Sequence, residues 1–173
     1  MHFAFAMLAI VASAAALVPA PLEDRATNNG KPSQAIVKLA RKQVGKPYVW
    51  GGGTCNGPEH GGFDCSGLNE YVVCQVSDKK YDLPNHAQTQ YNKYKTWGGK
   101  RIPWKDAKPG DMFYYSHNSN DCKNDVSHTN IKATTDTVIN APTTGRDIYE
   151  GDSSWYFNNN ELRICPWAIR FWD

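Results

Sequence analysis

The stretch "GGFDCSGLNEYVVC", residues 61–74, decides how this chain is read. It holds two of the five cysteines, and an odd number leaves at least one thiol without an intramolecular partner. Cys65 stands between an aspartate and a serine, with glycines on both sides, while Cys74 lies inside an apolar run. Leu68, Tyr71, Val72 and Val76 recur at helical spacing. Asp64 is a good N-cap for that helix, which puts Cys65 at or beside its first position. Free N–H groups and aligned peptide dipoles at a helix start favour a thiolate, and glycines let a substrate backbone come close. Cys65 is therefore a candidate nucleophile.

A nucleophile needs a base, and the base needs an orienting group. Of the five histidines, His2 lies in an apolar leader, His60 in a Gly-rich loop, His86 at a helix start and His117 in a polar loop. His128 opens the β-type segment "HTNIKAT", where an imidazole is held rigidly. Asn140 ends the next such segment, "TVINAP". If the two strands form a hairpin, His128 and Asn140 meet across it, and the amide oxygen can accept a ring N–H and fix the tautomer. Spacing alone fits a hydrogen-bonded strand histidine equally well.

The chain of 173 residues is long enough for one domain with a real core. Its net charge of +2, without any Lys/Arg block, argues against nucleic acid as a partner. "FAFAMLAIVASAAALV", residues 3–18, is uncharged and followed by small residues, but shorter than a membrane span requires. Residues 1–18 read as a secretory signal, 19–32 as a pro-segment or flexible arm with Arg25 as a processing site, and 33–173 as one domain. The expectation is a secreted, extracellular protein with no membrane attachment after signal removal, in a compartment that permits disulfides. There is no N-x-S/T sequon.

Within the domain the pattern predicts a helix over 33–44 capped by Ser33, a loop over 51–62, the Cys65 helix, and a short helix in "LPNHAQTQYNKY" (83–94). After Gly98-Gly99 the texture turns β-branched and period-two: "DMFYYS", "HTNIKAT", "TVINAP" and "ELRICPWAIRFW" read as strands. Helices first and strands later is an α+β order with antiparallel neighbours.

"KPYVWGG" (46–52), "GGFDCSGL" (61–68), "LPNHAQTQY" (83–91), "KPGDMFYY" (108–115), "SHTNIK" (127–132) and "VINAPTTG" (138–145) occur in one order. In this the chain resembles the NlpC-type (NlpC/p60) cell-wall cysteine peptidases, over most of its length from about Gln34. The resemblance implies a papain-like α+β fold: a helical part bearing Cys65, packed on an antiparallel sheet of about five strands bearing His128 and Asn140. It implies Cys65 as nucleophile, His128 as base, and Asn140 at a third position where histidine is more usual. It also implies that Tyr48 lines the site and that Asp64 and Ser66 help hold the substrate, although a helix cap and a helix-start serine explain the last two equally well. The implied substrate is a peptidoglycan stem peptide or soluble muropeptide, cut between D-glutamate and a diamino acid. Two departures stand out. "HTNI" replaces the usual H-V-G-I, so Thr129 and Asn130 are expected to reshape the pocket beside His128. The loop "TCNGPEHG" is longer than usual and carries Cys55.

With Cys65 as the free thiol, Cys55, Cys74, Cys122 and Cys165 allow three pairings, which sequence does not decide. The loop running beside the helix it feeds favours Cys55–Cys74, leaving Cys122–Cys165. No C-x-x-C or zinc-ligand spacing is present, so neither metal nor cofactor is expected. The six tryptophans suit either a binding groove or packing. Nothing in the sequence calls for more than a monomer. The leader, arm and extra cysteines fit a secreted eukaryotic protein whose target is bacterial wall. Three rivals share these features: a wall-peptide amidase or acyltransferase, a secreted wall-fragment binder without turnover, and a disulfide-rich structural protein with an inert Cys65.

Overall fold

The computed structural model describes residues 31–117, 121–157 and 161–171, with the backbone alone at 155 and 157. The signal segment, nearly all of the arm, and Trp172 lie outside the described residues. The first helix, α1, runs Pro32–Arg41. It starts before Ser33, because proline at the first helical position has its φ preset and lacks an N–H that would go unbonded there. It ends short of Val44, which is exposed, while Ile36, Val37 and Ala40 are buried. The Cys65 helix, α2, spans Cys65–Val76, and α3 spans Ala87–Asn92. The cap of α3 is His86, whose side chain accepts the Thr89 N–H, so the helix starts after Pro84 and not at it. A short α4, Ser154–Phe157, was not signalled by the sequence pattern.

Among the described residues, seven strands form one antiparallel sheet: β1 Lys100–Pro103, β2 Met112–His117, β3 Val126–Lys132, β4 Thr137–Asn140, β5 Tyr149–Asp152, β6 Leu162–Ile164 and β7 Trp167–Arg170. The order is β1-β7-β2-β3-β4-β5, with β6 also pairing β2. The count exceeds the expected five for two reasons. "ELRICPWAIRFW" breaks at Cys165-Pro166 into β6 and β7, because proline cannot donate to a ladder. β1 and β5 are edge strands without an apolar alternation.

The central strand β2 is buried on both faces, and its residues alternate between two cores. Met112 and Tyr114 face α1, α2 and α3 together with Ile131, Ile139 and Ile169. Phe113 and Tyr115 face the other side with Val138, Tyr156 and Ala168. Trp97 packs on the first core and Trp104 on the second. The aspartate of "KPGD", Asp111, is buried and takes a two-pronged ion pair from Arg170 at 2.8 and 2.7 Å, tying the start of β2 to the end of β7. Disulfides join Cys55 to Cys74 and Cys122 to Cys165. The arrangement is a papain-like α+β fold, with the N-terminus of α2 against β3.

Candidate active site

Asp64 builds the start of α2. Its Oδ1 accepts the Gly67 N–H at 2.7 Å and its Oδ2 accepts the Gly51 N–H at 2.9 Å, so one carboxylate caps the helix and holds the preceding loop. That loop lies hard against the helix: a Cβ on Gly67 would sit 2.0 Å from the Gly52 carbonyl oxygen. Its outer part is fastened to the same helix by Cys55–Cys74 and by the Cys55 N–H donating to Glu70. Cys65 is thereby fixed at the first helical position, buried and unpaired, the free cysteine among the described residues.

His128 enters from β3. Its Nε2 lies 2.8 Å from Asn140 Oδ1 at the end of β4, so Asn140 accepts the ring proton and Nδ1 is the nitrogen left for exchange. Asn140 is held in turn, because its amide donates to the hydroxyls of Tyr149, at 3.3 Å, and Tyr156. Tyr149 and Tyr156 also bond each other at 2.7 Å, and the Tyr156 ring stacks on His128 at 6.1 Å and 12°. No pattern in the sequence announced these two tyrosines, since they come from a strand edge and a one-turn helix.

Cys65, His128 and Asn140 all line one cleft of about 880 Å³ across the strand ends. Tyr48 and Trp50 line it too, Trp50 with 84% of its surface exposed. Asp64 and Ser66 do not form this wall. Both are buried just behind Cys65, with Ser66 Oγ 3.0 Å from Asp64 Oδ1 and 2.7 Å from Asn85 Oδ1. Thr129 and Asn130 also leave the cleft unshaped, contrary to the expectation for "HTN". Thr129 points to α2, accepting from Asn69 at 2.8 Å and donating to the Phe113 carbonyl at 2.7 Å. Asn130 accepts from the Tyr115 hydroxyl in the opposite core. The two residues are polar core, not pocket.

The electrostatics correct one further expectation. Burial pushes the Cys65 thiol up to about 12, and the Asp64 charge adds to this. The N–H groups of Thr129, Ser66 and Cys65 itself act to lower it, as a helix start should, but desolvation outweighs them. Burial likewise holds His128 down at about 4, against the hydrogen bond it donates to Asn140. Burial therefore opposes charge on both the thiol and the imidazole. Cys55, Cys74 and Asp82 place ligand-type atoms within 4.8 Å of one another, but the two sulfurs are spent in a disulfide and offer no thiolate.

The family model of NlpC/P60 matches residues 45–164, which include every element of this site. The chain belongs to the NlpC/P60 family. It is 32% identical over 124 residues to peptidoglycan endopeptidase RipA of Mycobacterium tuberculosis, covering 67% of this chain and 23% of the relative. It is 39% identical over 99 residues to gamma-DL-glutamyl hydrolase of Bacillus subtilis, covering 57% and 20%. The match spans about a quarter or less of either relative. Among solved structures, the NlpC/p60 domain of peptidoglycan hydrolase SagA superposes with a TM-score of 0.60 at 28% identity, covering 80% of this chain and 97% of that one. These NlpC/P60 relatives agree with the papain-like reading of the sheet and of the Cys65 helix. Among the described residues no helix is long and apolar enough to cross a membrane.

Proposed function

We propose that this NlpC/P60 domain is a secreted, monomeric cysteine endopeptidase that hydrolyses peptidoglycan stem peptides at the D-glutamyl–diamino-acid bond. The observation that carries the proposal is the locked imidazole. His128 has Nε2 committed to Asn140 and lines the same cleft as a free thiol at a helix start. Relatives named as peptidoglycan endopeptidases and as a gamma-DL-glutamyl hydrolase support the bond class. The apolar segment at 3–18 and the two disulfides support an extracellular setting.

In this mechanism His128 Nδ1 takes the Cys65 proton as the sulfur attacks the amide carbonyl. The oxyanion is met by N–H groups at the start of α2. The imidazolium, steadied by Asn140, then protonates the leaving amine of the diamino acid, and a thioester remains. Water, deprotonated by His128, attacks that thioester. The glutamyl carboxylic acid leaves, and Cys65 recovers its proton. Burial that opposes charge on both groups suits this order, because charge then separates as the substrate carbonyl is there to receive it.

The test is digestion of purified peptidoglycan and soluble muropeptides by the processed protein beside Cys65→Ala, with fragments identified by mass spectrometry. New termini at the D-glutamyl–diamino-acid bond, absent with Cys65→Ala, are expected. New termini at another bond would favour the amidase reading. Absence of any cleavage by folded protein would favour a wall-fragment binder.

A further inference from the structure

The turn between β4 and β5 closes one side of the cleft, and it carries Arg146. The backbone there is tied to the body on both flanks. The Arg146 carbonyl accepts the Tyr48 N–H at 2.9 Å, its N–H donates to Thr143 at 3.2 Å, and the Ile148 N–H donates to Lys46 at 2.8 Å. The guanidinium lies over the Tyr149 ring, 5.8 Å from its centroid, and Tyr149 is the residue hydrogen-bonded to Asn140. Arg146 is therefore steered by the framework that orients His128, yet among the described residues no carboxylate pairs with it. Elsewhere Arg41 and Arg170 are each filled by a two-pronged carboxylate, Glu150 and Asp111. The opposite side of the cleft, beside β2, β3 and β6, carries Asp125 and Glu161. Arg146 is the one Lys or Arg side chain among the described residues lining this cleft.

We infer that Arg146 determines specificity by taking a substrate carboxylate in a two-pronged bond, and that this carboxylate is the free α-carboxylate of a γ-linked glutamate next to the scissile amide. The inference rests on the endopeptidase reading for the identity of the substrate. A γ-linked glutamate leaves its α-carboxylate exposed one carbon chain away from the carbonyl that Cys65 attacks. A planar guanidinium matches it in both charge and shape. Amidation of that group, giving isoglutamine, removes the charge and one acceptor oxygen, so such an enzyme discriminates between amidated and free-acid walls.

The experiment uses two soluble stem peptides with lysine as the diamino acid, one with D-glutamate and one with D-isoglutamine. Lysine removes the second carboxylate of diaminopimelate, so the pair differs at glutamate alone. Turnover is compared for the wild-type protein, Arg146→Gln and Arg146→Lys. Binding of both peptides is measured by titration calorimetry with Cys65→Ala and with Cys65→Ala carrying Arg146→Gln. The expected result is a preference of the wild type for the free acid on the order of 10- to 100-fold in kcat/KM, falling to near one in Arg146→Gln. Arg146→Lys, which keeps the charge and loses the fork, falls between. If neither peptide is cut but binding shows the same preference and its loss, the endopeptidase reading fails and the role of Arg146 stands. Equal handling of acid and amide by the wild type, in turnover and in binding, overturns the inference. A preference that survives Arg146→Gln overturns it as well.

Discussion

At the scale of single residues, the site is a chain of constraints that starts from Asn140. Its oxygen accepts a hydrogen bond from the His128 ring N–H, and its NH2 donates to two tyrosine hydroxyls, so the amide cannot flip without losing three bonds. Asn140→Asp puts a carboxylate 2.8 Å from Nε2, where it stabilises imidazolium and raises the His128 pKa from about 4 by roughly 1–3 units. The acid limb of kcat/KM then moves to higher pH, and a pH profile that stays in place would remove Asn140 from the mechanism. Tyr156→Phe keeps the ring stacked on His128 and deletes one hydroxyl that holds Asn140. A net hydrogen bond of about 1 kcal/mol predicts a loss of roughly fivefold in kcat, read in steady-state assays on a defined stem peptide.

At the scale of elements, the start of α2 depends on how closely the 51–62 loop can approach. Gly67→Ala adds helix propensity but places a methyl 2.0 Å from the Gly52 carbonyl oxygen and 2.9 Å from Asn85 Nδ2. Overpacking against backbone outweighs the gain, and urea denaturation is expected to show a loss of about 1–3 kcal/mol. Activity should fall more than stability does, because the displaced loop takes Gly51 away from Asp64. A stability equal to wild type would show that the loop yields freely. Removing the Cys55–Cys74 link with paired alanines frees a loop of 19 residues and costs about 3 kcal/mol in the same measurement. These elements also show what a sequence makes legible. Helix α2, its Asp64 cap and the strands β2, β3 and β4 follow from periodicity and capping, because burial writes itself into apolar spacing. The edge strands β1 and β5 are held by backbone ladders and leave no such trace. The local motif gives Cys65 its helix start but not its burial, which the packed fold imposes and which outweighs the N–H groups around the sulfur. Arg146, Tyr149 and Tyr156 reach the cleft through sheet order, which single-chain spacing does not encode.

At the scale of the whole molecule, two buried groups set opposite limits on stability against pH. His128 has a folded pKa of about 4 against 6.5 for the free side chain. Between those values the unfolded chain binds more protons, so stability rises with pH across that window and falls on acidification, by on the order of 3 kcal/mol in full. Glu70 works the other way. Burial, helped by the neighbouring charges of Asp82, Glu59 and Asp64, raises its carboxyl from 4.5 to about 7. Within that range the folded protein binds more protons than the unfolded chain, so stability is lost as pH climbs through about 7. Glu70→Gln leaves an amide oxygen to accept the Cys55 N–H and removes the titration. The variant is expected to melt higher than wild type at pH 8 and to show no such gain at pH 4.5, where Glu70 is already protonated. Between about 4.5 and 6.5 the two slopes oppose each other, so the acid-side fall set by His128 should steepen in Glu70→Gln. Thermal melts of both proteins at half-unit pH steps from 4 to 8.5 separate the two contributions. A melting curve for Glu70→Gln parallel to wild type over the whole range would mean that the Glu70 carboxylate is solvated in the folded state, and that the alkaline limb belongs to another group.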